Sequence, residues 1–144
     1  MYKMKLQVIK TAENAVIPTR AHAQDIGYDL TAISVYKRLS DRTVIYNTGI
    51  CVKPPPGKYM EILPRSSLTK TGYMLANSVG TIDPEYRGDL LIAVRKIDDS
   101  FPDLEVPFTR FQMVMRDAHI YEIELTEFEK ETERGSGGFG STDK

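Results

Sequence analysis

The chain has 144 residues, 41% of them hydrophobic and 27% charged, with a formal net charge of -1. That length suits one domain with a real core, and the balanced charge excludes the global basic field of a duplex-DNA binder. A single Cys excludes an intramolecular disulfide, and one Cys with two His cannot build the usual Cys/His zinc cages.

These counts point to a cytosol-like reducing compartment, with a nucleus or a virus-infected cell equally compatible. No apolar run reaches the roughly 18 residues of a membrane span. Met1-Tyr2-Lys3-Met4 leads into an alternating pattern rather than a signal peptide's apolar region. Four of the ten glycines fall between Gly135 and Gly140.

In chain order, Met4, Leu6 and Val8 alternate with Lys5, Gln7 and Ile9, which predicts a first strand. Residues 42–52 are rich in β-formers, and Lys53-Pro54-Pro55-Pro56-Gly57 stops them. Residues 58–63 alternate again. Ser66-Ser67-Leu68-Thr69-Lys70-Thr71 suits one short helical turn. Residues 90–97 and 111–115 are β-rich apolar runs. Tyr121, Ile123 and Leu125 alternate with Glu122, Glu124 and Thr126, the pattern of a half-buried strand. No window carries a sustained 3.6-residue apolar period. Short strands punctuated by Pro and Gly predict an all-β sandwich or barrel. The division is a β domain over residues 1–126, then a charged tether and a Gly-rich tail over residues 127–144, too polar to fold alone.

Arg134-Gly135-Ser136-Gly137-Gly138-Phe139-Gly140-Ser141-Thr142 offers a cation, unhindered N–H groups and two hydroxyls, a combination that suits a polyphosphate. It is not a Walker loop, because Ser141 stands in the lysine position. Arg65 brings a planar donor fork, and Ser66 and Ser67 suit the cap of a short helix. Asp83-Pro84-Glu85-Tyr86 reads as a turn between paired strands. Asp83 there is either a general base toward water or a turn Asp satisfying its own backbone. Tyr86 either presents its ring to a sugar or packs in the core. Asp25 and Asp29 bracket Gly27-Tyr28, either near a hydrated metal or shaping a turn. Cys51 reads as a small half-buried hydrophobe.

In this order the segments resemble the five motifs of the trimeric dUTPase family. Asp25-Ile26-Gly27-Tyr28-Asp29-Leu30 is similar to the first and Pro64-Arg65-Ser66-Ser67 to the second. Gly80-Thr81-Ile82-Asp83-Pro84-Glu85-Tyr86-Arg87-Gly88 is similar to the third, Phe111-Gln112-Met113 to the fourth, and residues 134–142 to the fifth.

The resemblance implies a jelly-roll-like β-clip subunit with a flexible Gly-rich tail. It further implies a homotrimer with shared sites, and conversion of dUTP and water to dUMP and pyrophosphate with Mg²⁺. Neither nucleic acid nor membrane is implied as a direct partner. By position, Asp83 activates the water. Asn77, Thr81 and Ile82 read uracil, Tyr86 packs on deoxyribose, and Leu91 adds a nucleotide contact. Arg65, Ser66, Ser67, Gln112, Arg134, Gly140, Ser141 and Thr142 meet the phosphates. Phe139 covers the base, and Asp29 supports Mg²⁺ through water.

The fourth motif departs from the family. Thr109 stands where an Arg is usual, and Arg110 lies two residues before Gln112. Gln112 is therefore ranked first, with a local bulge as the alternative. Asp143 replaces a common Gly. The alternative functions are a dCTP deaminase-like enzyme on the same fold and a nucleotide-sensing regulatory protein.

Overall fold

The computed structural model describes residues 3–142. Ten strands and one 3-10 helix follow in chain order: β1 (Gln7–Lys10), β2 (Tyr28–Ala32), β3 (Ser34–Arg38), β4 (Thr43–Asn47), β5 (Ile50–Lys53) and β6 (Lys58–Pro64). After them come the 3-10 helix (Ser66–Lys70), β7 (Tyr73–Leu75), β8 (Gly80–Ile82), β9 (Leu91–Lys96) and β10 (Phe108–Asp117). Every paired strand is antiparallel. The sheets are β2-β10-β6-β8, β3-β4-β9-β7, and the ribbon β1-β5.

Alternation builds the core between the two larger sheets. Leu30, Ala32, Met60, Ile62, Phe111 and Met113 come from one, and Val44, Tyr46, Tyr73, Leu75, Ile92 and Val94 from the other. Tyr46 meets Phe108 edge to face at 4.8 Å. Both Phe108 and Phe111 are buried although three residues apart, because β10 carries one extra residue against β2. Phe108 faces Ala32 while Phe111 faces Leu30.

Four expectations are revised. The run 42–52 is two strands. At Gly49 (φ 66°) the chain turns, and its N–H is caught by Asn47 Oδ1 at 2.8 Å. The turn at Asp83 exists, with the Tyr86 N–H donating to the Asp83 carbonyl at 3.1 Å. It does not close a hairpin, because β8 pairs with β6 whereas β9 pairs with β4 and β7. Pro84 removes a ladder donor, Leu90 N–H donates to the Ile50 carbonyl of β5, and the chain then enters the other sheet where β9 pairs with β4 and β7.

The 3-10 helix forms where expected, but Arg65 occupies its N-cap with no side-chain cap bond, so Ser66 and Ser67 lie inside its first turn. Finally, residues 121–126 form no strand. Residues 118–132 carry no helix or strand, and Ile120, Tyr121, Ile123, Leu125 and Phe128 are exposed. Their alternation encodes a strand, yet no sheet edge of the same chain receives it. Among the described residues no helix is long and apolar enough to cross a membrane.

Candidate active site

Three of the sequence motifs converge. Asp25, Gly27, Asp29, Arg65, Ser66 and Gln112 line an open polar pocket of about 330 Å³. Sheet register explains the meeting: Gln112 on β10 lies between Asp29 on β2 and Leu63 on β6, and β6 delivers Arg65 just past its end. The Arg65 guanidinium is fixed by Nη1 donating to the Thr109 carbonyl at 2.7 Å and by Nε facing Asp29 Oδ1 at 3.2 Å. Arg110 Nη1 donates to the Ser67 carbonyl at 3.3 Å.

Thus the β10 bulge turns Thr109 and Arg110 into supports for the second motif, while Gln112 reaches the pocket. Gln112 Nε2 donates to the Pro64 carbonyl at 3.1 Å. Gly27 is small by necessity, since a Cβ there would lie 2.0 Å from Gln112 Oε1. Ser67 Oγ is buried without a hydrogen-bond partner, the only such side-chain atom among the described residues. A buried hydroxyl in that state suits a site whose missing partner is a ligand oxygen.

Asp25 accepts the His22 N–H at 3.0 Å and so shapes its own turn. Asp29 lines the same pocket but faces Arg65 instead. No cluster of three potential ligands from His, Cys, Asp and Glu exists among the described residues. The two carboxylates that line the pocket, Asp25 and Asp29, fit Mg²⁺ only if substrate oxygens and water supply the rest of its shell, which is how Mg²⁺ is commonly held.

Asn77, Thr81, Ile82, Asp83 and Tyr86 lie elsewhere. Asn77 Nδ2 is 3.8 Å from where a Cβ on Gly80 would sit, and Thr81 and Ile82 belong to β8. Asp83 is exposed at the end of β8, and its carboxylate makes no hydrogen bond among the described residues, so it does not satisfy its own turn. Tyr86 is 39% exposed, which excludes the core role. Leu91 opens β9 opposite Asn47.

The register gives the separation. Ile82 pairs with Met60 near the start of β6, whereas Arg65 follows its far end at Pro64. Five residues of strand span roughly 17 Å, more than the length of a triphosphate chain. Within one chain the Arg65 pocket and the Asp83 turn therefore lie apart.

The tail is a third element. Residues 118–142 form no strand or helix after β10. Arg134 Nε donates to the Gly137 carbonyl at 3.0 Å, and Ser141 N–H donates to the Gly138 carbonyl at 3.1 Å. Phe139 is fully exposed with φ 47°, followed by Gly140 at φ 81°. Thr142 is the last described residue, so Asp143 and the end of the 127–144 segment lie outside the described residues. Sequence reasoning missed Thr109 and Arg110 as supports, because nothing local marks a carbonyl or side chain that will meet a loop 43 or 44 residues away.

Two antiparallel sheets, a polar pocket centred on Arg65 and an exposed Asp–Tyr turn define an all-β protein built to meet a polyanion. The dUTPase family profile matches residues 13–143, and the chain belongs to the dUTPase family. It is 35% identical over 140 residues to a deoxyuridine 5'-triphosphate nucleotidohydrolase of Picosynechococcus sp., covering 96% of this chain and 99% of that one. A namesake from Clostridium novyi is 36% identical, again covering 96% and 99%. In fold the chain is similar to a dUTPase variant of Staphylococcus bacteriophage 80alpha solved with dUpNHpp (TM-score 0.75, 24% identity, 96% and 98% covered). It is also similar to a phage phi11 dUTPase variant with a structural Mg(II) ion (TM-score 0.72, 21% identity, 88% and 99% covered).

Proposed function

We propose that this chain is the subunit of a homotrimeric dUTP diphosphatase that converts dUTP and water to dUMP and pyrophosphate. The observation that carries the reading is the Asp83–Tyr86 turn in a member of this family: an exposed carboxylate free of hydrogen bonds, three residues from an exposed aromatic ring. The family match and the named relatives favour hydrolysis over the deaminase and sensing alternatives.

Asp83 takes a proton from water as its oxygen forms a bond to the α-phosphorus. The bond from that phosphorus to the bridging oxygen breaks, and pyrophosphate leaves. An aspartate suffices as base because the obstacle is the charge of the triphosphate, and fixed donors offset that charge. Arg65, Ser66 and Gln112 supply them from the pocket, and Ser67 from the helical turn beside it. Arg134, Gly140, Ser141 and Thr142 add more from the tail, while Phe139 covers uracil. Asn77, Thr81 and Ile82 read the uracil edge. Tyr86 and Leu91 pack on the sugar side, where the ring leaves no space for a 2'-hydroxyl. Mg²⁺, supported through water by Asp29, supplies further neutralisation of the phosphate oxygens when bound.

The separation of pocket and turn supports sharing between subunits, since an Arg65 pocket of one copy can meet the Asp83 turn of another. The exposed apolar side chains of residues 120–128 support the same assembly, offering a strand to a neighbour's sheet.

The test is pyrophosphate release from dUTP in Mg²⁺, compared with dCTP, dTTP and UTP. Asp83→Asn is expected to bind dUTP normally and to lose turnover by roughly 10²–10⁴-fold, the usual cost of a missing general base. Near-normal turnover in that variant, or ammonia release from dCTP, would refute the assignment.

A further inference from the structure

The segment that carries Tyr86 is anchored from outside its own turn. Tyr86 Oη donates to the Asp89 carbonyl at 2.7 Å, and the ring lies so close to residue 88 that a Cβ there would be 2.4 Å from the hydroxyl. Burial, followed by the charge of Asp89, holds the Tyr86 phenol above its ordinary pKa, so it remains a donor.

Asp89 is the anchor point. Its Oδ1 accepts from Thr11 Oγ1 at 2.6 Å and its Oδ2 from Asn47 Nδ2 at 2.9 Å. Asn47 cannot turn its amide over, because its Oδ1 already accepts the Gly49 N–H at 2.8 Å. Thr11 is tied to the same turn through its N–H, which donates to the Gly49 carbonyl at 2.8 Å. The next residue is clamped as well, since Leu90 O accepts from Thr48 Oγ1 at 2.8 Å and Leu90 N–H donates to Ile50 O at 2.7 Å. Among the described residues Asp89 meets no cation: its two side-chain partners are neutral, and each comes from a different segment of the chain.

We propose that Asp89, held by Thr11 and Asn47, is a positioning residue that sets how closely the Tyr86 ring approaches the sugar, and thereby sets the preference for deoxyribose over ribose. The inference rests on the dUTP diphosphatase reading and deepens it. A ring that excludes a single hydroxyl must be fixed to within a fraction of that hydroxyl's size, and a short exposed turn does not fix itself. The Asp89 clamp ties the ring to the β4–β5 turn and the N-terminal segment at once. Because Asp89 lies six residues from Asp83, loosening the clamp alters the fit of the sugar more than the activation of water.

The experiment measures kcat and KM on dUTP and on UTP for the full-length chain, Asp89→Asn, Thr11→Val, and the exchanged pair Asn47→Asp with Asp89→Asn. In Asp89→Asn one of the two acceptor oxygens becomes an NH2 donor, which removes the contact with Asn47 or, with the amide turned over, replaces the strong one with Thr11 by a weaker one. The preference for dUTP over UTP is expected to fall about tenfold, the effect of losing one to two hydrogen bonds. Turnover number on dUTP is expected to stay within about threefold. The exchanged pair restores a donor facing an acceptor, with residue 47 still able to accept from Gly49, and should recover most of the preference. Thr11→Val should lower it about threefold.

An unchanged preference in both single variants overturns the proposal. So does an equal loss on both substrates that the exchange fails to rescue, since that is what a merely structural residue would give. If Asp89→Asn does not fold, Thr11→Val decides: a lowered preference supports the anchor and an unchanged one overturns it. A full-length chain that leaves dUTP intact overturns the functional reading and the anchor together, whereas a dUTP-active chain with unaltered variants overturns the anchor alone.

Discussion

Ile123 and Leu125 are 90% and 101% exposed, and neither touches the core. Replacing both with Thr keeps residues that suit a strand but removes most of the apolar surface available to a neighbouring subunit. Burying a side chain of that size stabilises by about 2 kcal/mol, so the pair contributes about 4 kcal/mol per arm if an adjacent copy covers it. Thr retains part of this. A net loss of about 3 kcal/mol weakens each arm's docking by somewhat more than a hundredfold. Sedimentation of the purified protein at micromolar concentration reads the result. The unaltered chain is expected at three times the mass of one chain, and the double variant at lower mass. Far-UV circular dichroism should be unchanged, because the substituted residues support no strand of their own chain. A single-chain mass for the unaltered protein, or a trimer that survives both substitutions, would refute the reasoning.

Gly27→Ala places a Cβ 2.0 Å from Gln112 Oε1 and pushes the amide off the Pro64 carbonyl. KM for dUTP should rise about three- to tenfold, the value of one hydrogen bond, and an unchanged KM in steady-state kinetics removes Gln112 from the phosphate pocket. Near the β7–β9 edge, a hydrogen bond from Lys96 at 2.5 Å and then its charge hold the Asp103 carboxyl below its ordinary 3.8. A depressed folded-state pKa contributes stability above pH 3.8 that disappears as pH falls through the lower folded value. Asp103→Asn should therefore flatten the acid side of the stability profile, measured as urea midpoints at pH 5 and pH 3. Equal slopes for both proteins would exclude this pair as a contributor.

Much of the fold was legible because alternation and Pro/Gly punctuation report local physics. The triple proline ends β5 at Lys53, and β6 restarts at Lys58, as the residues imply. Strands β2, β3 and β7 escaped notice. Each is three to five residues long, and β3 is exposed along its whole length, so no apolar alternation marks it. The sheet change at Asp83 was equally invisible, because it depends on β9 pairing with β4, far back in the sequence. Site residues were legible as motifs, but their partition into two places follows from the register of β6 with β8 and β10, which no linear motif contains.

The placement of Arg65 after the end of β6 and of Asp83 beside its start, at the end of the neighbouring β8, has a genetic consequence. If function depends on pairing one copy's pocket with another copy's turn, lesions in the two halves are not equivalent to lesions in one chain. A chain disabled at Arg65 and a chain disabled at Asp83, each inert by itself, could complement each other when co-assembled, because some junctions would bring together the intact half of each. Conversely, a chain defective in both halves would spoil two junctions of any ring it joined. Mixtures of two variant chains would then show complementation or dominance according to whether the Arg65 pocket or the Asp83 turn carries the change.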